Sequence, residues 1–387
     1  MRAFWFWPGL LLVMVVGLLV RSPDLDGRAL DNVERAHFEA AGLGAITTAG
    51  SPVEWAKQDY YWARRTLWDA PAAAPGVLQG ISTRMATRAG LKVGFSRETA
   101  LRLFSMILGA ACIFLVALLL RSVCPDEPLV ALTGAALAAL QLGSVFLSRS
   151  GTGGPVAGFF LLVMIYAGWR LFRDVREQQM AALLGYGALI AVSSCLAFGF
   201  DPSAKTYGVI LAVAGVLLFR TGPNGVSKWP WFSTRSWTVL IALAPLAALV
   251  AFGIGNGVPD HLSMEPFLHA RFVSWPVLAL APLGLAGAFT RDMRWLIWLV
   301  LWTLVPALCS VTSGFHWAPP HAHYFTLHLM GIVLAAEGAG VLWGLARDRT
   351  PGALADAAVV GCLVWMGLVT WSTIHGVGSA RLLVNLP

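Results

Sequence analysis

Long apolar runs dominate this chain of 387 residues and limit what it can fold into. A helix that crosses a bilayer needs about 20 mostly apolar residues, because each residue advances it by about 1.5 Å. The pattern predicts an all-α integral membrane protein, a polytopic bundle of about 11 transmembrane helices that forms one domain over residues 1–387. The runs lie near residues 3–20, 99–120, 128–147, 154–172, 181–199, 204–219, 236–254, 271–289, 294–312, 322–345 and 355–375.

The cations between these runs predict an orientation, because short loops rich in Lys and Arg stay on the cytoplasmic side. With a cytoplasmic N-terminus, the inner side carries Arg2, Arg121, Arg170, Arg173, Arg176, Arg220, Lys228, Arg235, Arg291, Arg294, Arg347 and Arg349. The outer short loops and the C-terminal tail carry only Arg149, Lys205, Arg271 and Arg381. We therefore expect a cytoplasmic N-terminus, with residues 21–98 outside.

The composition excludes several other classes of protein. Hydrophobic residues make up 57% of the chain and charged residues 12%, which leaves no room for a large soluble domain beyond residues 21–98. The net charge of +7 could indicate a nucleic-acid partner. Its cations are spread through short loops beside the apolar runs, however, which favours contact with membrane lipids and no nucleic acid.

The outer loop, residues 21–98, mixes charged residues with an apolar stripe. The periodicity of apolar positions predicts helices over 29–43, 53–69 and 76–90. Aromatic residues alternate with cations in the second of these, a composition typical of a helix that lies in the membrane interface. The alternative is a solvated loop with interfacial helices and no chemistry.

Six short segments, in this order, resemble the C-type glycosyltransferase superfamily of integral membrane enzymes, which includes protein mannosyltransferases and the lipid A aminoarabinose transferase. Asp31-Asn32 opens the predicted helix where that family has Asp-Glu, and Pro75-Gly76-Val77-Leu78 is similar to its Pro-Pro-Leu element. Gly94-Phe95-Ser96-Arg97 is similar to its small loop that leads into a helix beginning with an Arg. The remaining three segments are Ser148-Arg149 in an outer loop, Asp201-Pro202-Ser203 in a short outer turn, and His323-Tyr324, similar to an Arg-Tyr pair at the start of a late helix.

The resemblance implies a glycosyltransferase that moves a sugar from a polyprenyl-phosphate-linked donor to an acceptor at the outer face of a bacterial inner membrane. Its partners would be membrane lipids, the lipid-linked donor and other membrane proteins. Asn32 and His323 depart from the family pattern, which leaves open a catalytically silent subunit that binds a lipid or partner proteins. A transporter is a weaker alternative, since the sequence contains no convincing internal repeat.

Such a transfer needs a carboxylate as general base near the acceptor. The resemblance makes Asp31 the first candidate. Asp24 and Asp26, just beyond the first apolar run, are alternatives, and Asp31 could instead be a helix cap or a surface residue.

The departing lipid phosphate needs positive charge. Arg102 and Arg149 could each hold a phosphate through two parallel N–H bonds, with Lys205 as a weaker candidate. By the resemblance, His323 and Tyr324 also belong to the substrate site. The alternative role of these cations is contact with lipid headgroups.

The histidines raise the question of a divalent metal cofactor. A site assembled from two loops would use Asp260, His261 and Glu265 together with His321, although their spacing matches no tight metal-binding motif. The alternative is hydrogen bonding to backbone or headgroups. We expect His328 to face the interior of the bundle, and Glu337, an acid well inside an apolar run, to point inward and find a partner.

Overall fold

A computed structural model describes residues 5–22, 25, 35, 38–39, 41–46, 48–69, 74–149, 154–173, 180–200, 275–313, 321–349, 354 and 356–364. This described part is helical and contains no β-strand. Its helices are α1 (Phe6–Arg21), α2 (Pro52–Asp69), α3 (Ala74–Lys92), α4 (Arg97–Val123), α5 (Pro128–Leu140), α6 (Leu142–Ser148), α7 (Gly154–Arg173), α8 (Met180–Phe200), α9 (Trp275–Arg291), α10 (Met293–Ser313) and α11 (His321–Arg349). Residues 356–364 are also helical.

One predicted run, 128–147, is two helices and not one. The chain breaks at Gln141, whose backbone is extended (φ −68°, ψ 125°). The side-chain oxygen of Gln141 accepts a hydrogen bond from the Ser144 amide at 3.0 Å, and so caps the start of α6. Apolar periodicity did not reveal this break, because the residues on both sides are apolar. The predicted runs 204–219 and 236–254 lie outside the described residues.

The core forms around α4, which is buried along most of its length and packs against α5, α7 and α1. Three tryptophans of α10, Trp295, Trp298 and Trp302, are also fully buried, and α10 packs against α11 and α9. Helices α9 and α11 cross with their backbones almost touching. A Cβ on Gly284 would overlap the Leu334 carbonyl, and one on Gly338 would overlap the Leu280 carbonyl.

The outside of this bundle is apolar over a wide area. On α1, Trp5, Trp7, Leu11 and Leu12 are each more than half exposed, and further large apolar side chains are exposed on α8 and α9. Apolar side chains exposed along several helices are typical of a surface that meets lipid or another protein.

Two helical stretches in the described part, Arg97–Val123 and Phe325–Ala346, are long and apolar enough to cross a membrane. The buried core helix of a soluble protein can meet the same criterion. Five shorter apolar stretches accompany them, Phe6–Arg21, Pro128–Leu140, Pro155–Leu171, Leu184–Ala197 and Met293–Leu304.

The helix ends fall into two groups at opposite ends of the bundle. At one end, here called the Arg102 end, the ring of Phe200 at the close of α8 stacks on Phe160 of α7 at 5.8 Å and lies 6.2 Å from Phe104 of α4. At the other, the Arg291 end, Arg291 at the close of α9 reaches Glu127 at the start of α5. Successive helices of the core thus run in alternating directions.

Residues 21–98 contain two of the three helices predicted for them, α2 and α3, within two residues of the predicted bounds. They pair through Asp59, which accepts from Arg84 at 2.7 Å and from Arg88 at 2.5 Å. The Trp62 ring fills the space above Gly80, where a Cβ would overlap it. Most residues of the other predicted helix, 29–43, lie outside the described part. A short 3₁₀ turn at Leu43–Ala45 follows at its end.

Candidate functional site at the Arg102 end

A tight turn between α3 and α4 sets the position of Arg102. Gly94 adopts φ 89°, a left-handed conformation that costs glycine little. Ser96 then caps α4, its hydroxyl accepting a hydrogen bond from the Thr99 amide at 3.1 Å. Arg102 follows one turn later, on the face of α4 that is turned into the protein.

Arg102 as a whole is only 1% exposed. One of its terminal nitrogens donates to the Leu25 carbonyl at 2.7 Å, across 77 residues of sequence. The contact holds the segment after α1 against the start of α4. A side chain that reached out to lipid headgroups would be exposed, so this burial weighs against the headgroup role for Arg102.

Leu25 stands in the sequence between two of the candidate bases, Asp24 and Asp26. These two carboxylates and the first candidate, Asp31, lie outside the described residues. The contact with Arg102 therefore concerns the backbone of this segment, and the identity of the base stays a prediction.

Arg149 directly follows α6, with its amide bonded to the Val145 carbonyl at 3.2 Å. The preceding residue, Ser148, packs against Gly109 of α4 so closely that a Cβ on Gly109 would overlap it. Gly109 lies seven residues beyond Arg102, which is about 10 Å along the helix axis. Arg102 thus lies on α4 near its start, whereas Arg149 lies beside α4 about two turns further from the Arg102 end.

A third arginine, Arg21, has a central position that sequence reasoning missed. It is fully buried at the end of α1 and bonds to both sides of the break between α5 and α6. Its guanidinium donates to the carbonyls of Gly17, Ala138 and Ala139 and to the hydroxyls of Ser144 and Ser148, at 2.9–3.1 Å. The last carbonyls of a helix lack partners within that helix and carry partial negative charge, and Arg21 supplies both a donor and a positive charge there.

The same break bonds to α11. The Gln141 amide nitrogen lies 3.1 Å from Nδ1 of His328, so the prediction that His328 faces the interior is confirmed. His321, His323 and Tyr324 lie in the first turn of α11.

The remaining candidates cannot be placed. Lys205, Asp260, His261 and Glu265 lie outside the described residues. Within the described ranges, no group of three His, Cys, Asp or Glu side chains is arranged to hold a metal ion. The predicted two-loop metal site therefore stays a prediction.

The expectation for Glu337 is confirmed at the opposite end of the bundle. Its side chain is fully buried, with a carboxylate oxygen 3.6 Å from the Arg291 guanidinium. The other oxygen accepts a hydrogen bond from the Cys124 thiol at 3.4 Å. Arg291 also pairs with Glu127 at 3.1 Å, so one arginine links α5, α9 and α11.

Comparison of the sequence with models of known protein families and with curated proteins finds no match.

Proposed function

We propose that this chain is an integral-membrane glycosyltransferase of bacterial inner membranes, which transfers a sugar from a polyprenyl-phosphate donor to an acceptor at the outer face. The proposal has two parts, the embedding in the membrane and the chemistry. Each part is supported by separate observations, and an experiment can contradict one part without contradicting the other.

The embedding is supported by the apolar outer surface and by the alternation of helix ends. The inner cations of the proposed topology include Arg121 and Arg291, near the Arg291 end, whereas the outer loop returns to the bundle at the Arg102 end. We extend this arrangement to a bundle of about 11 transmembrane helices with a cytoplasmic N-terminus and residues 21–98 outside.

The observation that carries the chemical part is the contact between Arg102 and Leu25. It brings a buried cation against the segment that contains two candidate bases, at the end of the bundle where the outer loop lies. Sugar transfer from a lipid phosphate needs this pair of functions near each other, a carboxylate to accept the proton of the acceptor and a cation to stabilise the departing phosphate.

In this proposal Asp31 is the base, with Asp24 and Asp26 as alternatives. Arg102 and Arg149 bind the donor phosphate. Lys205, His323 and Tyr324 complete the substrate site. A divalent metal, if one takes part, would be held by Asp260, His261, Glu265 and His321.

A second candidate, the silent subunit, is favoured by the burial of Arg102. An arginine that is 1% exposed and whose guanidinium donates to a backbone carbonyl already has a structural role. Under this proposal the chain binds a lipid or partner proteins, and Arg102 fixes the outer loop to α4 without touching a donor.

The transporter alternative is weakened by Arg21. In transporters, broken helices often offer unpaired carbonyls to a coupling ion. Here the broken helix is α5–α6, and the Arg21 guanidinium already bonds to the Ala138 and Ala139 carbonyls at 2.9 Å.

Reconstituted protein and a panel of polyprenyl-phosphate sugars test the chemical part. We expect Asp31→Asn to abolish transfer, with the purified variant as stable as the wild type. Arg102→Lys should raise the donor concentration needed for half-maximal rate, because Lys cannot form two parallel bonds to a phosphate. Arg64→Lys, an exposed cation on α2, is the matched control and should leave donor dependence unchanged.

Two other outcomes would redirect the assignment. Full activity in Asp31→Asn, with loss in Asp24→Asn or Asp26→Asn, moves the base to the neighbouring pair. A wild-type protein that transfers no sugar from any donor, while remaining folded and embedded, contradicts the enzyme and supports the silent subunit.

A further inference from the structure

A cavity of about 320 Å³ opens at the Arg291 end, far from the candidate site. It lies between the start of α5, the close of α9 and the second half of α11. The residues that give it chemical character are Asp126, Glu127, Leu129, Arg291, Trp343 and Gly344. None of them takes part in the proposed transfer.

Charges of both signs line this cavity. Asp126 and Glu127 are exposed carboxylates on the loop before α5. Arg291 faces them and is bonded to Glu127. The buried carboxylate of Glu337 lies behind Arg291. At the opening itself two carboxylates, Asp126 and Glu127, face one guanidinium, that of Arg291. A ligand with a cationic group beside an anionic one would match both signs of charge.

The rest of the lining is apolar. Leu129 and Val341 border the opening, and Trp343 adds an indole ring, the side chain most typical of the membrane interface. A ligand that fits would carry an ammonium, a phosphate and an apolar tail. A phospholipid with a primary amine has these three parts.

We propose that this cavity binds the headgroup of an aminophospholipid, with its ammonium at Asp126 and Glu127, its phosphate at Arg291 and its acyl chains along α11. This proposal rests on the proposed membrane embedding, since the Arg291 end must meet a leaflet of the bilayer. It does not depend on glycosyl transfer.

Two glycines offer a steric test. A Cβ on Gly344, in the cavity wall, would meet no atom within 4 Å. Gly344→Leu should therefore fill the cavity without disturbing the packing. Gly361, exposed in the helix over 356–364, has the same open space. Gly361→Leu is the matched control, because it makes the same helix-favouring substitution away from the cavity.

Asp126→Asn tests the electrostatic part, with Asp356→Asn as its control, another exposed carboxylate. The probes are phosphatidylethanolamine, phosphatidylcholine, whose quaternary nitrogen has no N–H donor, and anionic phosphatidylglycerol. Purified protein is titrated with each lipid, and native mass spectrometry measures the fraction of protein that keeps one lipid.

We expect the wild type, Gly361→Leu and Asp356→Asn to retain phosphatidylethanolamine in preference to the other two lipids. Gly344→Leu and Asp126→Asn should each lose about tenfold in apparent affinity for this lipid. The first fills the space that the headgroup would occupy, and the second removes a charged hydrogen-bond acceptor. Equal retention of phosphatidylcholine, or unchanged binding in Gly344→Leu, would overturn the proposal.

Alkaline carbonate extraction of cell membranes distinguishes an absent lipid site from a chain that is not embedded in the membrane. A wild-type chain that carbonate releases from the membrane contradicts the embedding, and the lipid site with it. A chain that stays in the membrane and shows no preference for phosphatidylethanolamine contradicts the lipid site alone.

Discussion

Glu337 and Arg291 form an ion pair in which one partner has no contact with solvent. The Glu337 side chain is fully buried, whereas that of Arg291 is 27% exposed, and 3.6 Å separates them. A buried carboxylate without its cation is strongly unfavourable, whereas removal of both charges together costs much less.

Removal of the cation alone should therefore be the more damaging change. We expect Arg291→Met to lower the free energy of unfolding by about 3 kcal/mol, and Arg291→Met/Glu337→Gln to recover a large part of that loss. Arg294→Met, which breaks a partly exposed pair with Asp292, should cost about 1 kcal/mol or less. Thermal unfolding in detergent measures all three, and a double variant no more stable than Arg291→Met would contradict the pairing.

Arg21 provides a second stability prediction. Arg21→Met should remove the Arg21 donor from the buried Ala139 carbonyl and one of the two donors to the Ala138 carbonyl, which keeps the Ser144 hydroxyl. A buried group left unsatisfied costs about 1–3 kcal/mol, and the lost packing of the side chain adds to this. We expect a total loss of about 3 kcal/mol or more. The control is Arg64→Met, an exposed change expected to stay within about 0.5 kcal/mol. Equal unfolding temperatures for these two variants would show that the Arg21 network contributes nothing.

The crossing of α9 and α11 predicts opposite effects for two alanine substitutions. Gly284→Ala places a methyl group on the Leu334 carbonyl and must push the helices apart, which should cost about 1–3 kcal/mol or more. Gly344→Ala meets no atom and should stabilise α11 by about 0.5–1 kcal/mol. Both are read from thermal unfolding, and a harmless Gly284→Ala would contradict the close crossing.

The proposed topology predicts that the two ends of α4 react from opposite sides of the membrane. Val93, 73% exposed before α4, and Asp126, exposed after it, are replaced singly by Cys in a background with Cys195→Ser and Cys362→Ser. In intact cells an impermeant maleimide should label Val93→Cys, and Asp126→Cys only after permeabilisation. Labelling of both from outside would mean that α4 does not cross the membrane.

The sequence predicted a helix well where the residues that determine it are neighbours along the chain. Apolar periodicity predicted α2 and α3 to within two residues, and the apolar run 99–120 predicted α4 to within three residues. The inward direction of Glu337 follows from the cost of a charge in an apolar environment, which does not depend on the partner.

Contacts between distant residues were not predictable from one sequence. The break at Gln141 lies inside an apolar run, and the residues that bond to it or to its neighbours, His328 and Arg21, are 187 and 120 residues away. From the sequence, Arg21 was interpreted as the first residue of a polar loop, because no neighbouring residue indicates that it is buried. For the candidate site, the structure adds the Arg102 contact with Leu25, and the three candidate bases remain predictions from sequence.

The bonds of Arg21 also impose an order on the biosynthesis of the protein. Its partners at Ala138, Ala139, Ser144 and Ser148 are synthesised 117 to 127 residues later. Until they emerge from the ribosome, the only one of its partners available to the guanidinium is the Gly17 carbonyl of its own helix. Helix α1 therefore gains its long-range bonds only after α6 has been made, and a nascent chain arrested before residue 138 would lack all of them.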